Sequence, residues 1–138
     1  MPLSQISLHQ GKTPEYLNAL CDGLHDALVY CFDVPPADRF QLIHQHAPGE
    51  INVDTHYLGG SRSADYVLFQ ITAGKPRTTA TKQAFYERLT QNLQRSPGIR
   101  PEDVMVVITF NQAEDWSFAN GASVVPDARC LSSKVGAA

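Results

Sequence analysis

Hydrophobic residues recur every three or four positions in two segments of the chain, and this spacing predicts two amphipathic helices. Thr13 is a suitable N-cap for the first helix, Pro14 suits its first turn, and the helix should end near Asp33. The second helix must end before Ser96-Pro97-Gly98, because proline cannot continue it. The residues at this spacing are Leu17, Leu20, Cys21, Leu24, Leu28 and Cys31 in the first helix, and Ala80, Ala84, Phe85, Leu89 and Leu93 in the second.

Four β-rich runs flank the helices, so that the order strand, helix, strand occurs twice. A helix between two strands favours a right-handed crossover and a parallel strand pair. We therefore predict an α/β (α+β) fold, in which two fused β-α-β repeats form a four-stranded sheet with both helices on one face. The predicted strands are residues 3–8, 39–45, 66–72 and 103–110.

The two halves of the chain correspond when the sequence is shifted by 65 residues, from about residue 3 to residue 43. We interpret the chain as a single domain, with repeat one at about 2–62, repeat two at about 63–122 and a C-terminal tail at about 123–138. Gly59-Gly60-Ser61 serves as a linker between the repeats, since it lacks the strand-to-helix context of a phosphate loop. Matching pairs include Thr13 with Thr78, Leu20 with Phe85, Leu24 with Leu89, Leu28 with Leu93, Val34 with Ile99, and Asp38 with Asp103.

The last predicted strand is apolar at consecutive positions, Val104-Met105-Val106-Val107-Ile108, as expected when both faces of a strand are buried. Two helices can cover only one face of the sheet. The other face is most simply covered by further subunits, so we expect a homo-oligomer.

Composition narrows the class of protein further. With 138 residues, 43% of them hydrophobic, the chain fits one compact domain and not a disordered segment. The net charge of -3 and the lack of a basic cluster argue against nucleic acid as a partner. The sequence shows neither a run of about 18 apolar residues nor a signal peptide, so we expect no membrane partner and a cytoplasmic location. Three cysteines without CxxC spacing do not support a disulfide framework.

The predicted topology brings four segments to one end of the sheet. If the repeats are related by a pseudo-two-fold axis, their first strands run antiparallel. The start of the first strand at Pro2 then lies near Asp38, which precedes the second strand. It also lies near the turn Gly74-Lys75-Pro76-Arg77 and the segment Asp115-Trp116-Ser117-Phe118, which follow the third and fourth strands.

Pro2 is the first candidate for chemistry at this end. A small second residue allows removal of the initiating methionine, which would leave a secondary amine on a rigid strand. An α-amino group has a reference pKa of about 7.7 to 8.0, close to working pH. Asp38 is the carboxylate that would raise this pKa and make Pro2 an acid, whereas burial near apolar groups or cations would lower it and make Pro2 a base.

The other candidate residues at this end of the sheet are suited to binding a substrate. Arg77 offers a planar donor fork to a substrate carboxylate, and Lys75 is an auxiliary point charge. Trp116 and Phe118 could wall the pocket, or could be core or interface aromatics. Asp38 could also be a surface acid or a strand-start cap. A metal site is not supported, because no acidic or cysteine partner stands at metal-ligand spacing from His44, His46 and His56.

In combination these residues resemble the tautomerase superfamily, and most closely its malonate semialdehyde decarboxylase branch. The resemblance covers residues 2 to about 122. It is carried by Pro2, the duplicated unit, Val34-Pro35-Pro36-Ala37-Asp38-Arg39-Phe40, the Lys-Pro-Arg turn leading to Lys82-Gln83-Ala84-Phe85-Tyr86, and Asp115-Trp116-Ser117-Phe118.

The resemblance implies a tautomerase-like fold, a homotrimer with one amino-terminal proline site per subunit, no cofactor and no metal. In that branch the proline is protonated and is assisted by the aspartate matched by Asp38. Arginines in the turn matched by Lys75 to Arg77 bind and polarise a 3-oxo acid. This sequence departs from the pattern at Lys75, since lysine cannot supply a bidentate fork. Retention of Met1 would also block the chemistry, because Pro2 would then be an amide.

Two hypotheses of different classes follow. In the first, the catalytic residues Pro2, Asp38 and Arg77 act on small 2-oxo or 3-oxo acids as a decarboxylase, a keto-enol tautomerase, or both, with Lys75, Trp116 and Phe118 as further substrate-binding residues. In the second, the chain is a trimeric binding or signalling protein that keeps the fold and only vestigial activity.

Overall fold

A computed structural model describes residues 1–124, and its elements repeat the order strand, helix, strand. Short 3-10 turns precede the last strand at Pro101–Asp103 and follow it at Ala113–Asp115. Most of the tail predicted at 123–138, including Cys130, lies outside the described residues. The elements are β1 (Pro2–His9), α1 (Pro14–Phe32), β2 (Gln41–His46), β3 (Val67–Ala73), α2 (Thr79–Arg95) and β4 (Val104–Phe110).

The four strands form one sheet in the order β2-β1-β3-β4. β1 pairs in parallel with β2, and β3 pairs in parallel with β4, as crossover helices require. The two parallel pairs meet in the middle, where β1 runs antiparallel to β3 and Pro2 lies opposite Ala73. This arrangement confirms the predicted fold class.

Both helices pack on one face of the sheet and share a single hydrophobic core with it. α1 begins where the sequence predicts, because the hydroxyl of Thr13 accepts a hydrogen bond from the backbone of Tyr16. At the matching position before α2, the hydroxyl of Thr78 accepts a hydrogen bond from the backbone of Thr81. α1 ends at Phe32, and its C-cap Asp33 adopts the left-handed conformation, close to the end predicted from the sequence. The helix residues at matched positions of the two halves are all buried: Leu20, Leu24, Leu28, Phe85, Leu89 and Leu93.

The chain enters β2 and β4 through equivalent turns. The backbone N–H of Asp38 donates to the carbonyl of Pro35, and that of Asp103 donates to the carbonyl of Arg100, each at 2.9 Å. These four residues match under the 65-residue shift. The duplication and its boundaries stay a prediction.

Within residues 1–124, neither α1 nor α2 packs on the second face of the sheet. It presents apolar side chains from edge strands, with Leu42, Met105 and Val107 between 41% and 47% exposed. Removing such a surface from water is favourable, so this face is suited to contact with another protein surface. No helix within residues 1–124 is long and apolar enough to cross a membrane.

Candidate active site

The structure brings the four segments to one end of the sheet. The backbone N–H of Gly74, just after β3, donates to the carbonyl of Met1 at 3.1 Å. The N–H of Asn111, just after β4, donates to the carbonyl of Ala73 at 2.9 Å. The backbone N–H of Ser4 donates to the carbonyl of Phe40 at 3.0 Å, which places the start of β2 beside β1. The sheet itself therefore fixes the relative positions of these segments.

The chain terminus at this end is paired with an acid. The amino nitrogen of Met1 lies 2.9 Å from Oδ2 of Asp38, whose side chain is only 15% exposed. Pro2, buried at the start of β1, is joined to Met1 through its nitrogen, which cannot titrate while the peptide bond is intact. Asp38 thus faces the ammonium group of Met1, directly before the start of β1.

A row of three aromatic rings borders a cavity of about 400 Å³ beside this terminus. Trp116 stacks on Phe118 with their ring centroids 5.6 Å apart, and Phe118 packs against Phe40 at 5.4 Å. The structure therefore places the predicted Trp116 and Phe118 in one cavity wall. The full lining is Leu3, Phe40, Thr72, Asn111, Asp115, Trp116, Ser117 and Phe118.

Sequence reasoning missed four lining residues: Leu3, Thr72, Phe40 and Asn111. The alternation of side chains along a strand could have found the first two. Pro2 and Ala73 are paired and buried, so their neighbours Leu3 and Thr72, which are also paired, lie on the other face of the sheet. Asn111 gives no such signal, since it lies beyond the end of β4.

Trp116 is held against the amino terminus by two neighbours. Its indole nitrogen Nε1 donates to Oδ1 of Asn111 at 2.7 Å. A Cβ placed on Gly74 would lie 2.8 Å from the same Nε1 and 3.1 Å from Cε of Met1. Only a residue without a side chain allows the indole and the Met1 methyl group to approach the backbone so closely.

Arg77 contacts the end of α1. Its Nη2 donates to the carbonyl of Phe32 at 2.8 Å, its guanidinium lies 4.9 Å from the centre of the Phe32 ring, and Nη1 donates to the carbonyl of Lys75. Burial lowers the pKa of Arg77, and the nearby Asp33 opposes this shift. Within residues 1–124 these contacts do not join Arg77 to Asp38 or to the aromatic row, and the Lys75 side chain is exposed.

The structure also locates the histidines weighed as metal ligands. His44 and His46 lie on β2, with His46 paired with His9 at the end of the sheet opposite Pro2. Residues 1–124 contain no group of three His, Cys, Asp or Glu side chains placed to hold a metal ion.

A larger groove of about 770 Å³ lies between α1 and α2. Its lining is rich in side chains that bond to one another, such as Asp26 with Arg88 and Asn92. Neither Pro2 nor Asp38 lines this groove, and neither lines the smaller cavity at the sheet end, but the smaller cavity includes Leu3, the residue directly after Pro2.

Two fused β-α-β units, with an amino-terminal proline strand at the centre of the sheet and an acid beside the chain terminus, define a tautomerase-type protein. The chain belongs to the tautomerase family: a family described as tautomerase enzyme matches residues 38–119, and a second of the same description matches residues 2–60. A tautomerase-type enzyme is therefore the class to which it is assigned.

Similar proteins and similar solved structures are consistent with membership of the tautomerase family. The chain is 35% identical over 121 residues to the probable tautomerase YusQ of Bacillus subtilis, covering 88% of this chain and 95% of that protein. Crystal structures of malonate semialdehyde decarboxylase are similar with a TM-score of 0.82 and 37% identity, covering 96% and 98% of the two chains. A fused 4-OT symmetric trimer is similar with a TM-score of 0.71 and 29% identity, covering 88% and 94%.

Proposed function

We propose that the chain, after removal of Met1, is a cofactor-independent enzyme that uses the amine of Pro2 on small oxo acids. The reaction is malonate semialdehyde decarboxylase-like, keto-enol tautomerisation, or both. The observation that carries this proposal is the Asp38 carboxylate, which lies 2.9 Å from the amino nitrogen of Met1, the residue directly before Pro2. The proposal is supported by the structural similarity to malonate semialdehyde decarboxylase, whose crystal structures are described as a structural basis for decarboxylase and hydratase activities.

In the decarboxylase reaction, the protonated Pro2 polarises the 3-carbonyl of the substrate. In the alternative covalent route, Pro2 first gives up its proton, its neutral nitrogen adds to the 3-carbonyl, and loss of water leaves a cationic imine (an iminium). The bond between the carboxyl carbon and C2 then breaks, and its electron pair moves toward the polarised carbon as carbon dioxide leaves. A proton returned to C2 completes the product in the first route, whereas in the covalent route water must also hydrolyse the imine to release the product and free Pro2. Asp38 maintains the positive charge of Pro2 through an ion pair in a half-buried site.

In the tautomerase reaction, a neutral Pro2 takes a proton from one atom of the enol or keto acid and returns it to another. The charge state of Pro2 therefore decides which reaction dominates. The aromatic row formed by Phe40, Trp116 and Phe118 excludes water from the reacting atoms in either case.

Arg77 is proposed to bind the substrate carboxylate. A guanidinium carries five N–H bonds, and the two carbonyl contacts of Arg77 leave others to donate. Its attachment to the end of α1 also reduces the side-chain entropy lost on binding. Lys75 adds a positive charge to the same turn but no planar fork.

A homotrimer is the proposed assembly. The uncovered sheet face with Leu42, Met105 and Val107 supplies an apolar contact surface, and the similar fused 4-OT protein is a symmetric trimer. Burying this face would also bring the cavity beside Leu3 and Thr72 close to the subunit boundary.

Mass spectrometry of the purified protein tests whether Pro2 is the terminal residue, and steady-state assays test turnover of malonate semialdehyde and of enolisable 2-oxo acids. The variant Pro2→Ala should lose both activities while keeping its trimeric mass. Full activity in that variant would overturn the proposal. No turnover by a processed wild-type protein, together with tight binding of a protein partner, would favour a trimeric binding or signalling protein instead.

A further inference from the structure

The hydrogen bond between Trp116 and Asn111 fixes the orientation of the Asn111 amide. The indole Nε1–H can only donate, so the atom 2.7 Å away must be the carbonyl oxygen Oδ1. The amide nitrogen Nδ2 therefore points away from the indole. Within residues 1–124 Nδ2 has no hydrogen-bond partner.

The backbone of Asn111 is fixed as well. Asn111 directly follows β4, and its N–H donates to the carbonyl of Ala73 at 2.9 Å, which extends the pairing of β3 with β4 by one residue. The side chain thus begins at a point set by the sheet. It lines the cavity of about 400 Å³ that the aromatic row borders. A donor held in this way needs little reorganisation when a ligand arrives.

We propose that Asn111 is a substrate-binding residue whose Nδ2 donates a hydrogen bond to an oxygen of the bound acid, while Oδ1 holds Trp116 in place. This inference rests on the proposed function, because it assigns the substrate to the same cavity. Carbonyl and carboxylate oxygens are acceptors only, so a free N–H donor is the complementary group. Asn111 thereby has two roles: Oδ1 orients Trp116 in the cavity wall, and Nδ2 binds the substrate.

The variants Asn111→Asp and Asn111→Leu separate these two roles. Asp keeps an acceptor for Trp116 but loses the donor, whereas Leu loses both. Trp116 is the only tryptophan of the chain, so intrinsic fluorescence reports on its surroundings alone. We expect the emission of the unliganded Asn111→Asp protein to match wild type and that of Asn111→Leu to shift.

Binding of malonate, a dicarboxylate that cannot undergo the oxo-acid reaction, is measured by quenching of Trp116, and turnover is measured beside it. We expect Asn111→Asp to bind malonate about 10- to 100-fold more weakly and to lose about 100-fold in kcat/KM. Thr72→Asp is the matched control, because it adds the same negative charge to the cavity without changing the amide. Its loss should be clearly smaller.

These experiments distinguish failure of the inference about Asn111 from failure of the proposed function. Equal losses in Asn111→Asp and Thr72→Asp would show that charge alone is responsible, and wild-type binding and activity in Asn111→Asp would show that the donor is not used; either result overturns the inference. An unshifted emission in Asn111→Leu would overturn the positioning role. If the wild-type protein neither binds malonate nor turns over an oxo acid, the inference falls together with the proposed function. If Pro2→Ala alone stays active, only the proposed function falls.

Discussion

The amino nitrogen of Met1 and Oδ2 of Asp38 lie 2.9 Å apart, so the carboxylate that precedes β2 is paired with the chain terminus that begins β1. Asp103 holds the matching position before β4, yet it is used differently. It is 1% exposed, and its two oxygens accept hydrogen bonds from the backbone N–H and the hydroxyl of Ser63 at 2.6 and 2.7 Å. One acid therefore faces the candidate site, and its counterpart secures the connection between the two halves.

The first prediction concerns the charge of Pro2. In the processed protein, the Asp38 carboxylate should raise the pKa of the Pro2 amine, because it stabilises the cation. Asp38→Asn should lower this pKa by about one unit or more. An NMR titration of protein carrying nitrogen-15 proline measures the shift directly.

Glu102→Gln is the control for this titration. It removes one negative charge at the equivalent turn of the other half, away from the chain terminus, and should leave the Pro2 titration unchanged. If Asp38→Asn and wild type titrate together, Asp38 does not set the charge of Pro2. In that case the ion pair of the unprocessed chain has no counterpart after Met1 is removed.

The second prediction concerns stability at the matching acid. Asp103→Ala removes a buried side chain and leaves two partly buried Ser63 donors without their acceptors, so the free energy of unfolding should fall by about 2 to 4 kcal/mol. Urea denaturation measures this loss. Ser63→Ala keeps the backbone bond to Asp103 but removes the bond that the hydroxyl donates to Asp103 and the exposed one that it accepts from the backbone N–H of Asp65, and it should cost about 1 kcal/mol. A loss in Asp103→Ala no larger than that in Ser63→Ala would contradict the assigned role.

Sequence alone predicts most of the fold because its signals are local. Thr13 and Thr78 cap helices within three residues of themselves, and the apolar spacing of Leu20, Leu24 and Leu28 defines a buried face. The convergence at the sheet end follows from strand direction alone, once two parallel pairs are assumed to meet antiparallel.

The contacts of the site could not be predicted in the same way. The bond from Arg77 to the carbonyl of Phe32 joins residues 45 positions apart and depends on how α1 packs on the sheet. The fit of Trp116 between Asn111 and Gly74 depends on side-chain rotamers in a loop. No periodic pattern encodes either contact, because each arises only when the finished core sets the distances.

The third prediction tests the close approach at Gly74. In Gly74→Ala the new Cβ would lie 2.8 Å from Nε1 of Trp116, so the indole must move and the cavity wall with it. We expect a shift in Trp116 fluorescence and at least a tenfold loss of kcat/KM, since misplacing a positioning group by about 1 Å can cost 100-fold.

Gly60→Ala is a matched control for this substitution. Its Cβ would also meet a close neighbour, Cγ of Glu102 at 2.7 Å, but that neighbour belongs to a flexible side chain outside the cavity. Fluorescence and activity should stay near wild type. Wild-type fluorescence in Gly74→Ala would show that the indole is not confined at this position.

The fourth prediction tests the proposed assembly. Val107→Lys places a charge on the uncovered sheet face, where the wild-type side chain is 44% exposed in the single chain. Burying an unpaired charge is costly, so sedimentation equilibrium should show a shift from trimer toward monomer. Tyr30→Lys adds the same charge on α1, where the ring is 71% exposed, and should leave the trimer intact. A trimer that tolerates Val107→Lys would place its interface elsewhere.

The last prediction concerns the contact between the helices at low pH. The Arg88 guanidinium, 3.0 Å from Oδ2 of Asp26, lowers the pKa of the Asp26 carboxyl, and the amide of Asn92 at 2.8 Å stabilises the same anion. A lowered pKa in the folded state means that this group stabilises the fold above its unfolded pKa of about 3.9 and ceases to do so as the pH falls through the folded value.

Asp26→Asn should therefore lower Tm at about pH 7 and converge with wild type once the pH has fallen below the folded pKa of Asp26, where the carboxyl is protonated in both states. The effect should be small, because the Asp26 side chain is 51% exposed and solvent screens the pair. Glu87→Gln, an exposed acid of α2, controls for a general change of charge. A Tm difference for Asp26→Asn that persists unchanged at low pH would show that lost packing, rather than the ionised carboxylate, explains the destabilisation.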